Sequence, residues 1–329
     1  MFKMGDKDKK NVIIYGLGHC FYDDYFYKRI LPTIEKKYNI IGVTDKKVPC
    51  NTTELLYPFI ERSDELKKAD YIIVTSDKYY SEIKLELYED FGINDVLSAV
   101  QIENDIFNEL FPINLVKNKT GVEIGGPSRI FNPLYGIVEK CDGVNYSQNT
   151  VWWQGNCEKY CYNNKNLGEI IIADAINMEI IKDNQYDFCI SSNNLEHIAN
   201  PIKAILEFKR ITKQGGIIVV VVPRKEECFD HNRSVTRFDH LVEDYQTNVD
   251  EHDLSHLDEI MKLHDFDMDP GVSSSEEFFN RAQSNYKNRC LHHHVFDLMT
   301  LEKLFEFVGL SIIKSGVLFL DYMIIGKVE

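Results

Sequence analysis

Two stretches of this chain carry residue types whose spacing could do chemistry. The first is Gly121-Val122-Glu123-Ile124-Gly125-Gly126-Pro127-Ser128, an apolar run that ends in an acid and opens into a glycine pair. If the run is a strand, the glycines let a ligand approach the main chain at its carboxyl end, where open α/β sheets bind nucleotides. Glu123 would then hold an ammonium group or order the loop. Further on, Ala173-Asp174-Ala175 ends another apolar run and brings a carboxylate to the same edge. A fourth run ends Ile190-Ser191-Ser192-Asn193-Asn194-Leu195-Glu196-His197, followed by Asn200-Pro201. The second stretch, residues 224–299, holds eight of the ten histidines: His231, His240, His252, His256, His264 and the run His292-His293-His294. Helical i, i+4 spacing would put His252 and His256 on one face, where Asp253 or Glu259 could complete a divalent-metal site. Histidines so spaced more often bond backbone or carboxylates, so metal is the less favoured reading.

The elements that must position these residues read as two α/β units. Over the first ~110 residues short apolar runs alternate with amphipathic stretches, the pattern of a parallel sheet covered by helices. Strands are predicted at 12–15, 40–44, 71–75 and 96–99, and helices at 25–38 and 81–91, the latter capped by Gly92. Pro112 and the polar stretch 117–120 mark a boundary, giving domains 1–112 and 113–329. The second series predicts seven strands at 121–124, 143–146, 170–173, 188–191, 216–222, 311–317 and 322–327. A helix capped by Asn200 buries Ile202, Ile205 and Leu206; a last helix opens at Thr300 and stops at Gly309. The final two strands are short enough to form a hairpin at the sheet edge. The fold class is α/β in both parts.

Composition narrows the function classes. The chain has 329 residues, with 37 Lys+Arg against 52 Asp+Glu and a formal charge of −15. Such a balance repels a phosphate backbone, so nucleic acid is not an expected partner. About two thirds of the excess lies at 239–269, with eleven carboxylates and one lysine, which reads first as a solvated face. No apolar run approaches the ~18 residues of a membrane span, and the start has no secretory pattern. Eight scattered cysteines without a CxxC pair suit reduced thiols and a cytoplasmic location.

In order and spacing, the glycine pair, Asp174 and the Ser191-Ser192 … Leu195-Glu196-His197 run resemble the class I methyltransferase family that uses S-adenosylmethionine. The resemblance covers roughly 121–328 and implies a seven-stranded Rossmann-like sheet with S-adenosylhomocysteine as product. It implies that the loop of Glu123, Gly125, Gly126 and Pro127 holds the methionine part. Asp174 and Ala175 would meet the adenine, and Ser191 and Ser192 would border the transfer site. The family's ribose-binding acid is replaced by Asn145, whose amide bonds a hydroxyl more weakly than a carboxylate does, so ribose would be met by Asn145 or by nearby Ser147 or Gln148. Methyl transfer needs an acceptor held in line and, for a hydroxyl, a general base, which histidine supplies most easily. His240, His197, His292 and His293 are the candidate bases, since an insertion at 224–299 would overhang the sulfonium. The stretches Arg-x-x-Thr-Arg-Phe-x-His and His-His-His-Val-Phe look like those of methyltransferases in bacterial surface-glycan pathways. That implies a carbohydrate or nucleotide-sugar acceptor.

The first unit opens with Tyr15-Gly16-Leu17-Gly18, the start of a dinucleotide fingerprint, and Asp45 stands where a ribose acid would. Phe21 occupies the place of the third small residue, which a phenyl ring fills badly. The unit is similar to small Rossmann-like domains fused to sugar-modifying enzymes, which implies nucleotide-sugar binding or a homo-oligomer formed through it. Two other readings stay open: an oxidoreductase using NAD(P) at Gly16 and Gly18, and a catalytically silent scaffold.

Overall fold

The computed structural model describes residues 9–23, 26–49, 51–148, 159–269, 271–272 and 274–329. The chain divides into two compact units, Met1–Glu109 and Leu110–Glu329.

In the first unit, four parallel strands lie in the order β2-β1-β3-β4: β1 Asn11–Tyr15, β2 Asn39–Thr44, β3 Tyr71–Val74 and β4 Val96–Ser98. Val12, Ile13, Ile14 and Tyr15 are all buried, as a central strand covered on both faces demands. The helix expected at 25–38 is broken. A π-turn at Phe26–Ile30 passes into an α-helix at Leu31–Lys37, and Tyr25 lies outside the described residues. Pro32, in the first turn of that helix, has no N–H to donate, so the hydrogen-bond ladder cannot run straight through. The helix Tyr80–Phe91 ends on Gly92 at φ +71°.

The second unit is built on one sheet of order β11-β12-β10-β9-β5-β6-β8-β7. Its strands are β5 Thr120–Ile124, β6 Lys140–Asn145, β7 Lys159–Tyr162, β8 Lys165–Ile172, β9 Tyr186–Ser192, β10 Thr212–Pro223, β11 Leu310–Leu318 and β12 Asp321–Val328. Strands β8, β6, β5, β9 and β10 are parallel; β12 runs antiparallel to β10. Eight strands are described where seven were expected. The extra one, β7, turns into β8 through Asn163-Asn164, both at positive φ (48° and 63°), as a two-residue hairpin requires. The closing pair is a hairpin, yet its second strand, β12, lies inside the sheet and β11 takes the edge.

Helix Pro201–Ile211 follows β9. Asn200 caps it by accepting from the Lys203 N–H, and Ile202, Ile205, Phe208 and Ile211 are buried. The last helix, Leu298–Phe307, starts earlier than Thr300 because Asp297 is the cap, accepting from the Thr300 N–H at 2.7 Å. Since β6 and β9 flank β5 on opposite sides, the chain departs from β5 in two directions and leaves a crevice beyond the strands' carboxyl ends.

The segment 224–299 is not an open loop. It carries helix Phe238–Thr247, whose Leu241 joins the core of the main sheet, and helices Leu257–Leu263 and Ser275–Ala282 around a small core of Leu257, Ile260, Phe278, Ala282 and Leu291. The extended residues 290–296 that follow are all buried. Nor is its acidic run simply a solvated face: Asp244, Glu251 and Asp269 are buried beside histidine or arginine side chains. No helix among the described residues is long and apolar enough to cross a membrane.

Candidate functional site

Strand β5 delivers the glycine pair. Gly125 stands at φ +83°, and a Cβ there would lie 2.7 Å from the Asn194 side chain, so the position needs glycine on two counts. A Cβ on Gly126 would come within 2.2 Å of Glu123 Oε1 and 2.3 Å of the Tyr160 hydroxyl. The Gly126–Pro127 peptide is cis.

Glu123 is wholly buried beneath this loop. Its carboxylate accepts from the Tyr135 hydroxyl at 2.7 Å, the Tyr160 hydroxyl at 2.8 Å and the Ser128 N–H at 2.9 Å. Burial raises its pKa against those hydrogen bonds. Of the two roles anticipated, it orders the loop; its side chain does not reach the crevice. Tyr135 and Tyr160 were not foreseen. Tyr160 belongs to the unexpected β7, and its ring lies where a Cβ on Gly143 would stand, which pairs a glycine with an aromatic as the only sequence hint.

Above the loop, at the carboxyl ends of β5, β6, β8 and β9, is a cavity of 290 Å³. Gly125, Gly126, Pro127, Asn145, Asp174 and Ala175 line it. The Asn145 amide donates to Gly126 O at 3.4 Å, tying the second strand to the loop. Ser191 and Ser192 do not line it. Ser191 Oγ donates to Ile124 O at 3.0 Å, inside the sheet, and Ser192 Oγ donates to Asn193 Oδ1 at 2.8 Å. The strand buries both hydroxyls, and the following Asn193 and Asn194 face the cavity instead.

Two wall residues had no sequence signal. Arg289 pairs with Asp174 at 2.7 Å and Glu251 at 3.0 Å, and its guanidinium lies 3.9 Å from the Tyr146 ring centre. Glu251, itself buried, also accepts from the Ala199 N–H at 2.9 Å and the Asn285 amide at 3.1 Å. Two carboxylates and an aromatic face thus hold a cation at the cavity wall.

Of the four candidate bases, only His197 lines this cavity. Its Nδ1 lies 3.1 Å from Leu291 O; a carbonyl can only accept, so Nδ1 carries the proton and Nε2 is the acceptor nitrogen. Burial, helped by the neighbouring His292, holds the His197 pKa well below the usual value, which keeps the ring neutral. His240 opens instead on a second hollow and meets His256 Nε2 at 3.0 Å. His292 is enclosed against Asp230, its Nδ1 2.5 Å from the carboxylate. Burial raises Asp230, but His292 and Arg233 outweigh it and hold that acid at about 2. His293 is buried behind Glu251 and bonded to Asn285 at 2.9 Å, with its pKa pushed down to about 4 by burial. The overhang expected of these rings fails because the run 290–296 packs inward as core. His252 and His256 share no helix: His252 is exposed in a turn, bonded to Asp250 and stacked on Tyr286, whereas His256 caps Leu257–Leu263.

In the first unit, Gly16 also takes positive φ (+107°) after its strand. There Asp45 Oδ2 accepts from the Leu17 N–H at 2.6 Å and Oδ1 from the Lys47 N–H at 3.2 Å, so the expected ribose acid is engaged by the loop itself.

Residues 122–220 match the methyltransferase domain family, and residues 8–96 match a family described as C2185-like, N-terminal. Among curated proteins none matches in sequence. Similar solved structures include an S-adenosylmethionine-dependent methyltransferase of Thermotoga maritima, 18% identical, covering 77% of this chain and 97% of its own, with TM-score 0.39. Another, from Aquifex aeolicus, is 11% identical and covers 77% and 99% with TM-score 0.38. A third, from Methanosarcina mazei, is 15% identical and covers 66% and 97%, also with TM-score 0.38. With TM-scores below 0.5 these likenesses add nothing to what the site implies. The segment from β5 into β10 is a methyltransferase domain, and the protein is an enzyme that draws on S-adenosylmethionine. The residues present fit that group: a glycine cradle that a Cβ would close at both positions, beside Asn145 and Asp174 at the ends of the neighbouring strands.

Proposed function

We propose that the crevice at the carboxyl ends of β5, β6, β8 and β9 is the transfer site, and that the acceptor is a hydroxyl of a sugar or nucleotide-linked glycan intermediate. The observation that carries this reading is that one cavity is lined both by the Gly125-Gly126 loop and by a neutral, oriented histidine, His197. S-adenosylmethionine supplies the activated methyl on its sulfonium. The Gly125-Gly126-Pro127 backbone receives the methionine part, Asn145 bonds ribose, and Asp174 with Ala175 borders the adenine. The carbohydrate assignment draws on the likeness of the insertion to those of surface-glycan methyltransferases and on a polar wall of Asn193, Asn194 and Glu251 suited to hydroxyls.

His197 Nε2 would take the acceptor's proton while the cofactor, when bound, gives up its methyl and leaves as S-adenosylhomocysteine; Leu291 O fixes the tautomer through Nδ1. Glu123, Tyr135 and Tyr160 hold the loop from below, so its position does not depend on the ligand. The first unit, whose Asp45 is already engaged, serves self-association in this reading rather than nicotinamide binding.

Calorimetry with S-adenosylhomocysteine and, separately, NADH tests the assignment; heat with the first alone is expected, and heat with NADH alone overturns it. Mass spectrometry of sugar nucleotides incubated with enzyme and S-adenosylmethionine then reads the acceptor, where a gain of one methyl is expected. Loss of that gain in every carbohydrate, with transfer to another acceptor class, removes the sugar.

A further inference from the structure

We propose that the insertion holds a divalent transition-metal ion between His240, His256, His294 and Asp244, at a site separate from the crevice. None of the four residues lines the cofactor cavity. One ring nitrogen from each histidine lies within 4.8 Å of the other two. His240 Nε2 and His256 Nε2 are 3.0 Å apart, and Asp244 Oδ2 is 3.4 Å from His240 Nε2; His294 Nε2 donates to Ala199 O, which leaves Nδ1 as the ligating nitrogen of that ring. An ion bound tetrahedrally with bonds of about 2.0–2.1 Å has ligand-to-ligand edges of about 3.3–3.4 Å, so the His240–His256 and His240–Asp244 edges match to within a few tenths of an ångström, and the histidine set draws in from separations of up to 4.8 Å.

A second observation points the same way. Asp244 is 5% exposed, and its Oδ2, aimed at these rings, has no hydrogen-bond donor. A buried carboxylate oxygen without a donor is costly, and a cation at the centre of the cluster would satisfy it. His294 Nδ1 is likewise without a partner, while Nε2 lies 3.1 Å from Ala199 O. A histidine anchored to a backbone carbonyl through one nitrogen is the usual orienting arrangement of a metal ligand.

Three imidazoles and one carboxylate select a zinc-like ion over magnesium or calcium, which prefer oxygen sets. A neighbouring hollow bordered by His240 and His256, and by three carboxylates and two arginines, Arg233 and Arg237, gives the ion a way in. The ligands come from helix Phe238–Thr247, from the cap of Leu257–Leu263 and from the extended run that ends the insertion. The ion therefore staples three segments together. It also steadies the stretch that leads from His197 into the helix, because His294 contacts Ala199 O and the Asn200 amide donates to Asp244 O.

The test is metal content of the full-length protein by mass spectrometry, followed by calorimetric titration of chelator-treated protein with zinc chloride. One ion per chain and a rise in melting temperature on zinc addition are expected. His256→Ala and Asp244→Asn should each weaken zinc binding by at least about 100-fold, while His252→Ala, outside the cluster, binds as the parent does. No zinc heat from folded, chelator-treated protein overturns the site, as does equal loss in the His252→Ala variant. If either cluster variant fails to fold, cobalt added to the parent protein decides: the strong visible absorption of tetrahedral cobalt supports the site, and the weak absorption of six-coordinate cobalt overturns it. These readouts do not involve methyl transfer, so they stand or fall apart from the proposed reaction.

Discussion

The chain contains two strand ends that look alike and do different work. Strand β1 runs into Gly16-Leu17-Gly18 and β5 into Gly125-Gly126; in each the first glycine takes positive φ, and a polar residue stands at the end of the next strand, Asn145 closing β6 and Asp45 directly after β2. In the first unit that residue is charged and turns onto the loop's own backbone, at 2.6 Å from Leu17 N. Phe21, 3% exposed, then packs against Phe26 where a ligand-binding turn would want a small residue. In the second unit the charged anchor is Glu123, and it lies under the loop with two tyrosines, while the neutral Asn145 makes one long bond to it. The loop is held from beneath and its upper face borders a cavity. What separates the two is what the carboxylate engages: Asp45 takes the N–H groups of Leu17 and Lys47, whereas Glu123 takes two tyrosine hydroxyls and the Ser128 N–H from beneath the loop.

The comparison breaks most visibly at His197. His197→Ala should lower kcat/KM by about 10²–10⁴ while affinity for S-adenosylhomocysteine stays near the parent value, read by initial rates and calorimetry. Because its pKa lies well below the usual value, the base protonates only at low pH, so the parent rate should stay flat as pH falls through 6.5; a steep loss there would give the role to another group. Next comes Gly125→Ala, which places a Cβ on a positive-φ residue against Asn194. A loss of at least about tenfold in S-adenosylhomocysteine affinity and about 1–2 kcal/mol in stability is expected. Unchanged affinity would mean the loop is no cradle.

Asp45→Ala should cost about 1–3 kcal/mol in urea unfolding, from the loss of a charged acceptor, and leave S-adenosylhomocysteine binding untouched. A change in ligand affinity would make the first loop a binding site after all. Gly18→Ala is the mildest: a Cβ there meets nothing within 4 Å, so stability should move by no more than about 0.5 kcal/mol.

Much of the sheet was readable along the chain because apolar runs buried on both faces leave little else to be. Strand β7 escaped: Lys159–Tyr162 is short and mixed in polarity, and its best signal, Asn163-Asn164, is a hairpin turn recognisable only once its partner is known. The glycine pair, Asn145 and Asp174 were legible as cavity-lining residues because each closes a parallel strand. Ser191 and Ser192 lie one step short of the cavity, since the strand continues through both and the asparagines after them line it. The histidines misled most. Their number suggested an overhanging lid, yet His292 and His293 pack inward, and His240 turns to His256 across a helix boundary.

The order of strand ends, the glycines that cannot bear a side chain and the acid beneath them follow from local sequence, because pleat alternation and backbone dihedrals act over a few residues. The fate of Arg289, Glu251 and the histidines was decided only when distant segments met. Whether a titratable side chain is a base, a buried partner or a metal ligand depends on its desolvation and on charges a few ångströms away, and neither is set by its neighbours along the chain.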